Sequence, residues 1–381
     1  MSWEDKKLSE MGVNFQSGFA FKSVDFKKSG IPVIKIGNIQ NKLVSIDTNG
    51  NYIGLDTLTD KIKDYLLNND DVLIAMTGQG SVGRVGRLKL KLGEKALLNQ
   101  RVGRFICNEV TVHLPYIYYV LTSDLYQEYL FNTGVGSGQP NLSPQLILET
   151  EIPCPSYEQQ KAIASVLSSL DDKIDLLHRQ NKTLEAMAEA LFHQWFIEEA
   201  KEDWEIGTLE DLIDLKYGKA LKQENRSGSG YPVVASSGVV GFHNKYLVEG
   251  PGIVIGRKGT LGKVYFLEDS FFPIDTSYFI KTKIPESNLI FEYYLLKTLD
   301  FANMNSDSAV PGLNRNLALG TTIQIPPLKR IVEFNTLAKP WFSKIYTNTK
   351  QIQTLEKLRD TLLPNLMSGE VRVEYERVDA A

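Results

Sequence analysis

Two stretches of the chain carry apolar residues at helical spacing, each stripe too long to be buried by its own helix. In the first, Ile163, Leu167, Leu170, Ile174, Leu177, Leu184, Ala188, Leu191 and Trp195 step forward by fours and threes around a single polar interruption, Asn181. In the second, Trp341, Ile345, Ile352, Leu355, Leu362 and Leu366 repeat the pattern, with Asn348 in a seam position and Arg359 weakening one layer. Such seams want a partner helix. One antiparallel register places Asn181 opposite Asn348 and sets nearly every apolar position against another, so that two buried amides can satisfy each other. The alternative is that each helix packs only on its own domain. Pro340 suits a first helical turn, so the second long helix is expected to start there, with Pro364 and Ser368-Gly369 ending it.

Outside these stretches the period changes. Short apolar runs over 31–36, 72–76 and 252–255 are bounded by Gly, Asn and Asp, and they predict strands joined by irregular loops. Helices are expected around 114–131 and 289–301. The chain is also written twice. Gly18-x-Ala20-x-Lys22 and Ser29-Gly30-x-Pro32-Val33 recur 200 residues later as Gly218-x-Ala220-x-Lys222 and Ser229-Gly230-x-Pro232-Val233. Gly80-Ser81-Val82-Gly83-Arg84-Val85 recurs 179 residues later as Gly259-Thr260-Leu261-Gly262-Lys263-Val264. Tyr118-Tyr119 and Asn141-Leu142 recur as Tyr293-Tyr294 and Asn316-Leu317, 175 residues on, and Gln180-x-x-Thr183-Leu184-Glu185 recurs after 171. The order is kept and the offset shrinks, as expected of one plan repeated with shorter loops. The predicted class is α+β: two strand-rich domains separated by two long antiparallel helices, related as an internal pseudo-twofold repeat.

Composition sets limits on this plan. A chain of 381 residues is comfortable for two domains, and 43% hydrophobic with 23% charged residues excludes disorder and simple coiled coil as whole-chain answers. Two cysteines cannot build a disulfide framework, and four scattered histidines lack metal-ligand spacing, so no metal is expected. The N-terminus leads into no apolar signal region and no apolar run approaches the roughly 18 residues of a membrane span, which points to the cytoplasm and no membrane partner. Net charge is −4, so any contact with nucleic acid must be local.

Catalytic patterns are missing. Gly78-x-Gly80-x-x-Gly83 matches the dinucleotide fingerprint, but a strand-like stretch follows it and no acidic residue waits about 20 positions on. The second copy has Arg257 in place of the first glycine. Gly256 to Lys263 mimics a phosphate loop with one residue too many and Val264 where Ser or Thr should ligate magnesium. No cofactor and no catalytic residue is therefore expected. What both copies share is the material for nucleic-acid contact. Arg84, Arg87, Lys89, Lys91, Lys95, Arg101 and Arg104 face only Glu94 among acids in that stretch, and Arg257, Lys258 and Lys263 surround the second glycine loop. Gln79, Gln100, Gln139, Asn141, Asn314, Arg315 and Asn316 are loop residues of the kind that read base edges, and Lys22 and Lys222 are repeated cations. The plain alternatives are a solvated basic face, and turn capping for the asparagines.

Asn141-Leu142-Ser143 leads to Ile152-Pro153-x-Pro155, Glu158-Gln159-Gln160-x-x-Ile163-Ala164, Leu170-Asp171-Asp172-Lys173-Ile174 and Thr183-Leu184-Glu185 through Trp195-Phe196. Arg359-Asp360-x-Leu362-Leu363-Pro364-x-Leu366-Met367-Ser368-Gly369-Glu370 closes the second copy. With the duplication, this resembles the specificity (S) subunits of Type I restriction-modification enzymes over essentially the whole chain. The resemblance implies a target recognition domain over 1–156, a central helical spacer over 157–203, a second recognition domain over 204–327 and a C-terminal spacer over 328–381. It implies a non-catalytic protein that reads a bipartite double-stranded DNA target, one half per domain, with paired helices as the ruler. It also implies partners: two modification (methyltransferase) subunits and, in the full complex, restriction subunits. About 27 helical residues from Pro340 to Leu366 would span about 40 Å, close to the 34 to 36 Å or so of one duplex turn. The second copy departs from the pattern at Lys329-Arg330-Ile331, where the first has Glu-Gln-Gln.

Overall fold

The computed structural model describes residues 3–46, 50–108, 110–135, 140–304 and 312–374. The chain up to Ile174, together with the chain from Gln353 onward, forms one compact unit, and Asp175–Ile352 forms another. The first unit holds a sheet in the order Val13–Ser17, Val102–Cys107, Val72–Ala75, Val85–Leu88, Leu43–Val44 and Ile39–Gln40. Val72–Ala75 has a neighbour on each side and buries every residue, which is why it is written as an unbroken apolar run. A five-stranded sheet includes Ile31–Ile34 paired in parallel with Ala96–Leu98, and Asp5–Lys7 pairs with Glu151–Pro153.

The second unit repeats this order. Ile213–Tyr217, Ser277–Thr282, Gly252–Gly256 and Val264–Leu267 form an antiparallel sheet that matches the first four strands of the larger one. Tyr231–Ala235 pairs in parallel with Phe272–Pro273, as Ile31–Ile34 does with Ala96–Leu98, and Glu205–Thr208 pairs with Thr322–Ile325. The fold is α+β with an internal repeat, and each copy ends in a long helix, Tyr157–His193 and Leu328–Ser368.

The C-terminal helix departs from expectation. It starts at Leu328 rather than Pro340, runs for 41 residues, and carries both Pro340 and Pro364 in its interior. An interior proline costs about 3 kcal/mol, through a lost hydrogen bond and a clash with the preceding turn. Burial on both sides offsets it: Phe334, Ala338 and Phe342 flank Pro340 and enter one core, while Leu363, Leu366 and Met367 flank Pro364 and enter another. Both prolines face solvent. The end is as expected, with Gly369 at φ +78° just past Ser368.

Each unit draws on both helices. In the first, Ile163, Ala164 and Leu167 share a core with Leu363, Leu366 and Met367. In the second, Ala188, Phe192 and Phe196 share one with Ile331, Phe334 and Phe342. Early residues of one helix meet late residues of the other in the first unit, and the reverse holds in the second, so the pairing within each is antiparallel. The helix ends thus pair with each other inside the domain cores.

One buried acid in the second unit titrates with folding. Glu292 is fully buried and accepts hydrogen bonds from Thr282 Oγ1 at 2.6 Å and Ser287 Oγ at 2.8 Å. Burial pushes its carboxyl above the usual range. A raised folded value means that its contribution is complete below the unfolded pKa of about 4.3 and declines as pH rises through the folded value. Glu292→Gln is therefore expected to raise thermal stability at neutral pH, with the difference shrinking toward pH 4. Melting curves across pH check this; a neutral-pH loss would mean that the ionised carboxylate is the preferred form.

Candidate nucleic-acid interface

The strand Val72–Ala75 ends in a loop over 76–83 whose hydrogen bonds collect distant segments. Gly83 N donates to Ala75 O and Ala75 N to Arg84 O, both at 2.9 Å, closing the loop at its base. Met76 N donates to Arg101 O at 2.9 Å, Leu142 N donates to Met76 O at 2.7 Å, and Thr77 bridges to Asn141. Gln79, Arg84, Arg101 and Asn141 are thereby gathered at one strand end, all exposed. Among the described residues no carboxylate pairs with Arg84 or Arg101.

The second unit builds the same strand end. Gly262 N donates to Gly256 O and Gly256 N to Lys263 O, both at 2.9 Å, while Arg257 N donates to Thr276 O and Leu313 N to Arg257 O, also at 2.9 Å. Lys258 bridges to Gly312. Arg257, Lys258, Lys263 and Asn314 share this rim. The matching bonds correct the repeat: Asn141-Leu142 corresponds to Gly312-Leu313, not to Asn316-Leu317. Ser143 and Asn314 then align, and both cap a short helix. Ser143 Oγ accepts from Leu146 N ahead of Pro144–Leu148, and Asn314 Oδ1 accepts from Asn316 N and Leu317 N ahead of Arg315–Leu319.

The glycines serve the turn and the packing behind it. Gly83 has φ +82°, and a Cβ there would lie 2.9 Å from the Leu130 backbone; Gly262 has φ +70°, and its Cβ would lie 2.6 Å from Phe301 Cβ. This close approach accounts for the last glycine of the apparent fingerprint, and for its counterpart in the second copy, without a pyrophosphate.

Several candidate cations are engaged inside their own unit. Arg87, expected as an exposed DNA contact, is only 8% exposed, lies 3.7 Å from Asp70 and stacks over the Tyr118 ring. Lys89 also pairs with Asp70 at 2.8 Å, and Arg104 with Asp71 at 3.1 Å. Arg315 Nε donates to Leu215 O and its Nη2 to Asp214, whose carboxyl is held below the usual range by Lys216 and Arg315. Lys22 and Lys222 are exposed beside the short turns Ser23–Asp25 and Gln223–Asn225, and Lys222 lies 3.7 Å from Glu224. Gln139 lies outside the described residues.

The rims also contain residues that sequence reasoning missed. A Cβ on Gly78 would lie 2.8 Å from Ile36 Cδ1, which brings the 35–38 turn, with Lys35 and Asn38, beside the first loop. That turn borders a cavity of about 640 Å³ that Gln40, Ser45 and Asn51 also line. In the second unit, Ser236 accepts from Tyr265 Oη at 3.2 Å and lies against Gly259, placing the turn at Ser236 and Ser237 there. Their only sequence signal was position, at the end of a repeated strand.

The seam residues divide by unit. Asn348 Nδ2 donates to Asn181 Oδ1 at 2.9 Å and to Gln180 Oε1 at 3.3 Å, and Asn181 Nδ2 donates to Thr349 Oγ1 at 3.3 Å. Leu177, Leu184, Leu191, Ile345 and Ile352 lie in the same unit, buried or half-buried. In the first unit, with Ile174, Leu355 and Leu362, Arg359 has a partner that apolar patterning overlooked: Asp171, at 2.9 Å, which also accepts from Tyr119 Oη at 2.8 Å. Among the described residues, no group of three or more His, Cys, Asp or Glu is placed to hold a metal ion, and no helix is long and apolar enough to cross a membrane.

Two copies of one glycine-looped, cation-bearing strand end, each in a domain tied to a long helix, define a duplicated recognition module. The family model of the Type I restriction modification DNA specificity domain matches this chain twice, over residues 1–186 and 201–357, and the chain belongs to that family. It is 28% identical over 341 residues to the Type I restriction enzyme MjaIX specificity subunit of Methanocaldococcus jannaschii, covering 79% of this chain and 78% of that one. It is 22% identical over 410 residues to the putative MjaX specificity subunit of the same organism, covering 98% and 94%. The crystal structure of the Type I restriction-modification S subunit from M. genitalium shares the fold, with a TM-score of 0.69 at 20% identity over 96% of each chain.

Proposed function

We propose that this specificity subunit is the DNA-reading, non-catalytic part of a Type I restriction-modification complex. Each recognition domain, 1–156 and 204–327, contacts one half of a split, asymmetric duplex target. The helical spacers 157–203 and 328–381 set the gap between halves and dock two modification subunits, with restriction subunits joining the full complex. Methyl transfer and cleavage fall to those partners, in the cytoplasm.

The observation that carries this reading is the strand-end rim built twice on one backbone plan from different side chains. Gln79, Arg84, Arg101 and Asn141 stand in one, and Arg257, Lys258 and Lys263 in the other. A shared backbone gives both domains the same approach to a duplex, while unlike side chains let each read a different sequence. Exposed Lys and Arg neutralise phosphates, so affinity in the complex should fall steeply with salt; amides and guanidinium groups distinguish base edges.

Exchange of residues 1–156 for those of a relative with a different target tests the assignment in the assembled complex. Genome-wide methylation mapping is expected to show one half of the target changed and the other half and the gap retained. A swap that alters neither half ends the proposal.

A further inference from the structure

We infer that Arg257 reads a guanine in the half-site of the second recognition domain, an inference that rests on the DNA-reading function proposed above. The two domains differ here. Arg257 and Met76 occupy the same place in the backbone lattice, each donating its N–H to the crossing segment, at Thr276 O and Arg101 O respectively. Met76 is buried in its core, whereas Arg257 is half-exposed on its rim. A methionine meets the backbone requirement, so the fold does not call for an arginine.

The surroundings of Arg257 orient it without neutralising it. Its guanidinium carbon lies 4.9 Å from the Tyr217 ring centroid and 5.7 Å from that of Tyr278, and Nη1 donates to Asp275 O at 3.0 Å. Tyr278 is itself fixed, with its hydroxyl donating to Leu313 O at 3.1 Å. Among the described residues no carboxylate forms an ion pair with Arg257, in contrast to Arg87, Arg104, Arg315, Arg330 and Arg359. A planar fork held against two rings loses little freedom on binding, and two parallel donors match the O6 and N7 acceptors of guanine in the major groove. A phosphate needs only positive charge. Lys258 and Lys263, both exposed on the same loop, supply it.

The test uses the subunit assembled with its modification partners and maps methylated targets for the wild type, Arg257→Lys, Arg257→Met, Lys258→Ala and Lys263→Ala. Arg257→Met installs the side chain of the equivalent position and protects against a folding artefact. The wild-type target is expected to hold a G·C pair in the second half. Both Arg257 variants should lose discrimination at that pair by about 10- to 100-fold, with the first half and the gap intact. The two lysine variants should slow methylation at all targets without changing the sequence. An unchanged target with Arg257→Lys, a change in the first half, or a wild-type second half without a G·C pair would each overturn the inference. A wild-type complex with no bipartite target would instead overturn the function on which it rests.

Discussion

Phe334→Ala is expected to remove about 3–5 kcal/mol from the second unit, the largest stability loss of any single change considered. Phe334 is fully buried, and its ring centroid lies 5.8 Å from Phe192, 6.5 Å from Trp195, 5.4 Å from Phe196 and 6.3 Å from Tyr294. Phe192 comes from the end of the central helix, Trp195 and Phe196 from the π-turn Gln194–Glu198 that continues it, and Tyr294 from the domain, so one side chain joins the two helices to the recognition fold. Truncation leaves an aromatic-lined cavity that neighbouring rings cannot fill without leaving their own contacts. At about 2–4 °C per kcal/mol for a unit of this size, the melting temperature should fall by roughly 10 °C. Leu337→Ala, on the exposed side of the same helix, should change stability by less than about 0.5 kcal/mol. Thermal and urea unfolding of the purified chain provide the comparison. A loss below about 1 kcal/mol at Phe334 would show that the cluster does not hold the helices.

The repeat and the two long helices were legible because each leaves a periodic mark: apolar residues in steps of three and four, and motifs in conserved order. Finer points were hidden wherever a distant residue decided the outcome. Pro340 reads as a helix start until Phe334, Ala338 and Phe342 are seen in one core, whose burial holds the helix through the proline. Arg359 reads as a flaw in an apolar seam until Asp171 is found opposite, 188 positions earlier. Arg87 and Arg315 read as surface cations because their partners, Asp70 in a turn and Asp214 in the strand Ile213–Tyr217, come from other segments of the chain. The alignment of Asn141-Leu142 with Asn316-Leu317 followed residue identity. The backbone instead equates Ser143 with Asn314, two different residues doing the same capping work. Side-chain identity located the candidate rims, and the hydrogen-bond lattice decided which cations belong to them.

Asn181→Leu and Asn348→Leu are expected to have opposite effects, although the two amides form one pair. Asn348 is fully buried; its Nδ2 is satisfied by Asn181 and Gln180, but its Oδ1 is buried with no hydrogen-bond partner among the described residues. Asn181 is only half-buried, and its Nδ2 reaches Thr349 Oγ1. Asn181→Leu removes the nearer acceptor from Asn348 and leaves a buried amide still less satisfied, which should cost about 1–3 kcal/mol. Asn348→Leu removes the orphaned oxygen itself and frees a side chain that can turn to water, so it should be neutral or stabilising by up to about 1 kcal/mol. The double variant should match or exceed the wild type, since replacing both partners of a buried polar pair with apolar groups is often favourable. A double-mutant cycle by thermal unfolding reads all three, and equal losses from both single changes would show that the pair is fully satisfied in solution. The amides could also act as a register lock, because a one-heptad slide sets Asn181 against Trp341 or Leu355 and Asn348 against Ile174 or Ala188. The cores argue against that role: within each unit the two helices are already keyed together, by Leu167 with Leu363 and Leu366 in one and by Phe192 with Phe334 in the other. Methylation mapping with the double variant is therefore expected to show an unchanged gap. A mixture of gaps differing by about 3 base pairs, the about 10.5 Å of one heptad, would instead assign the register to the amides.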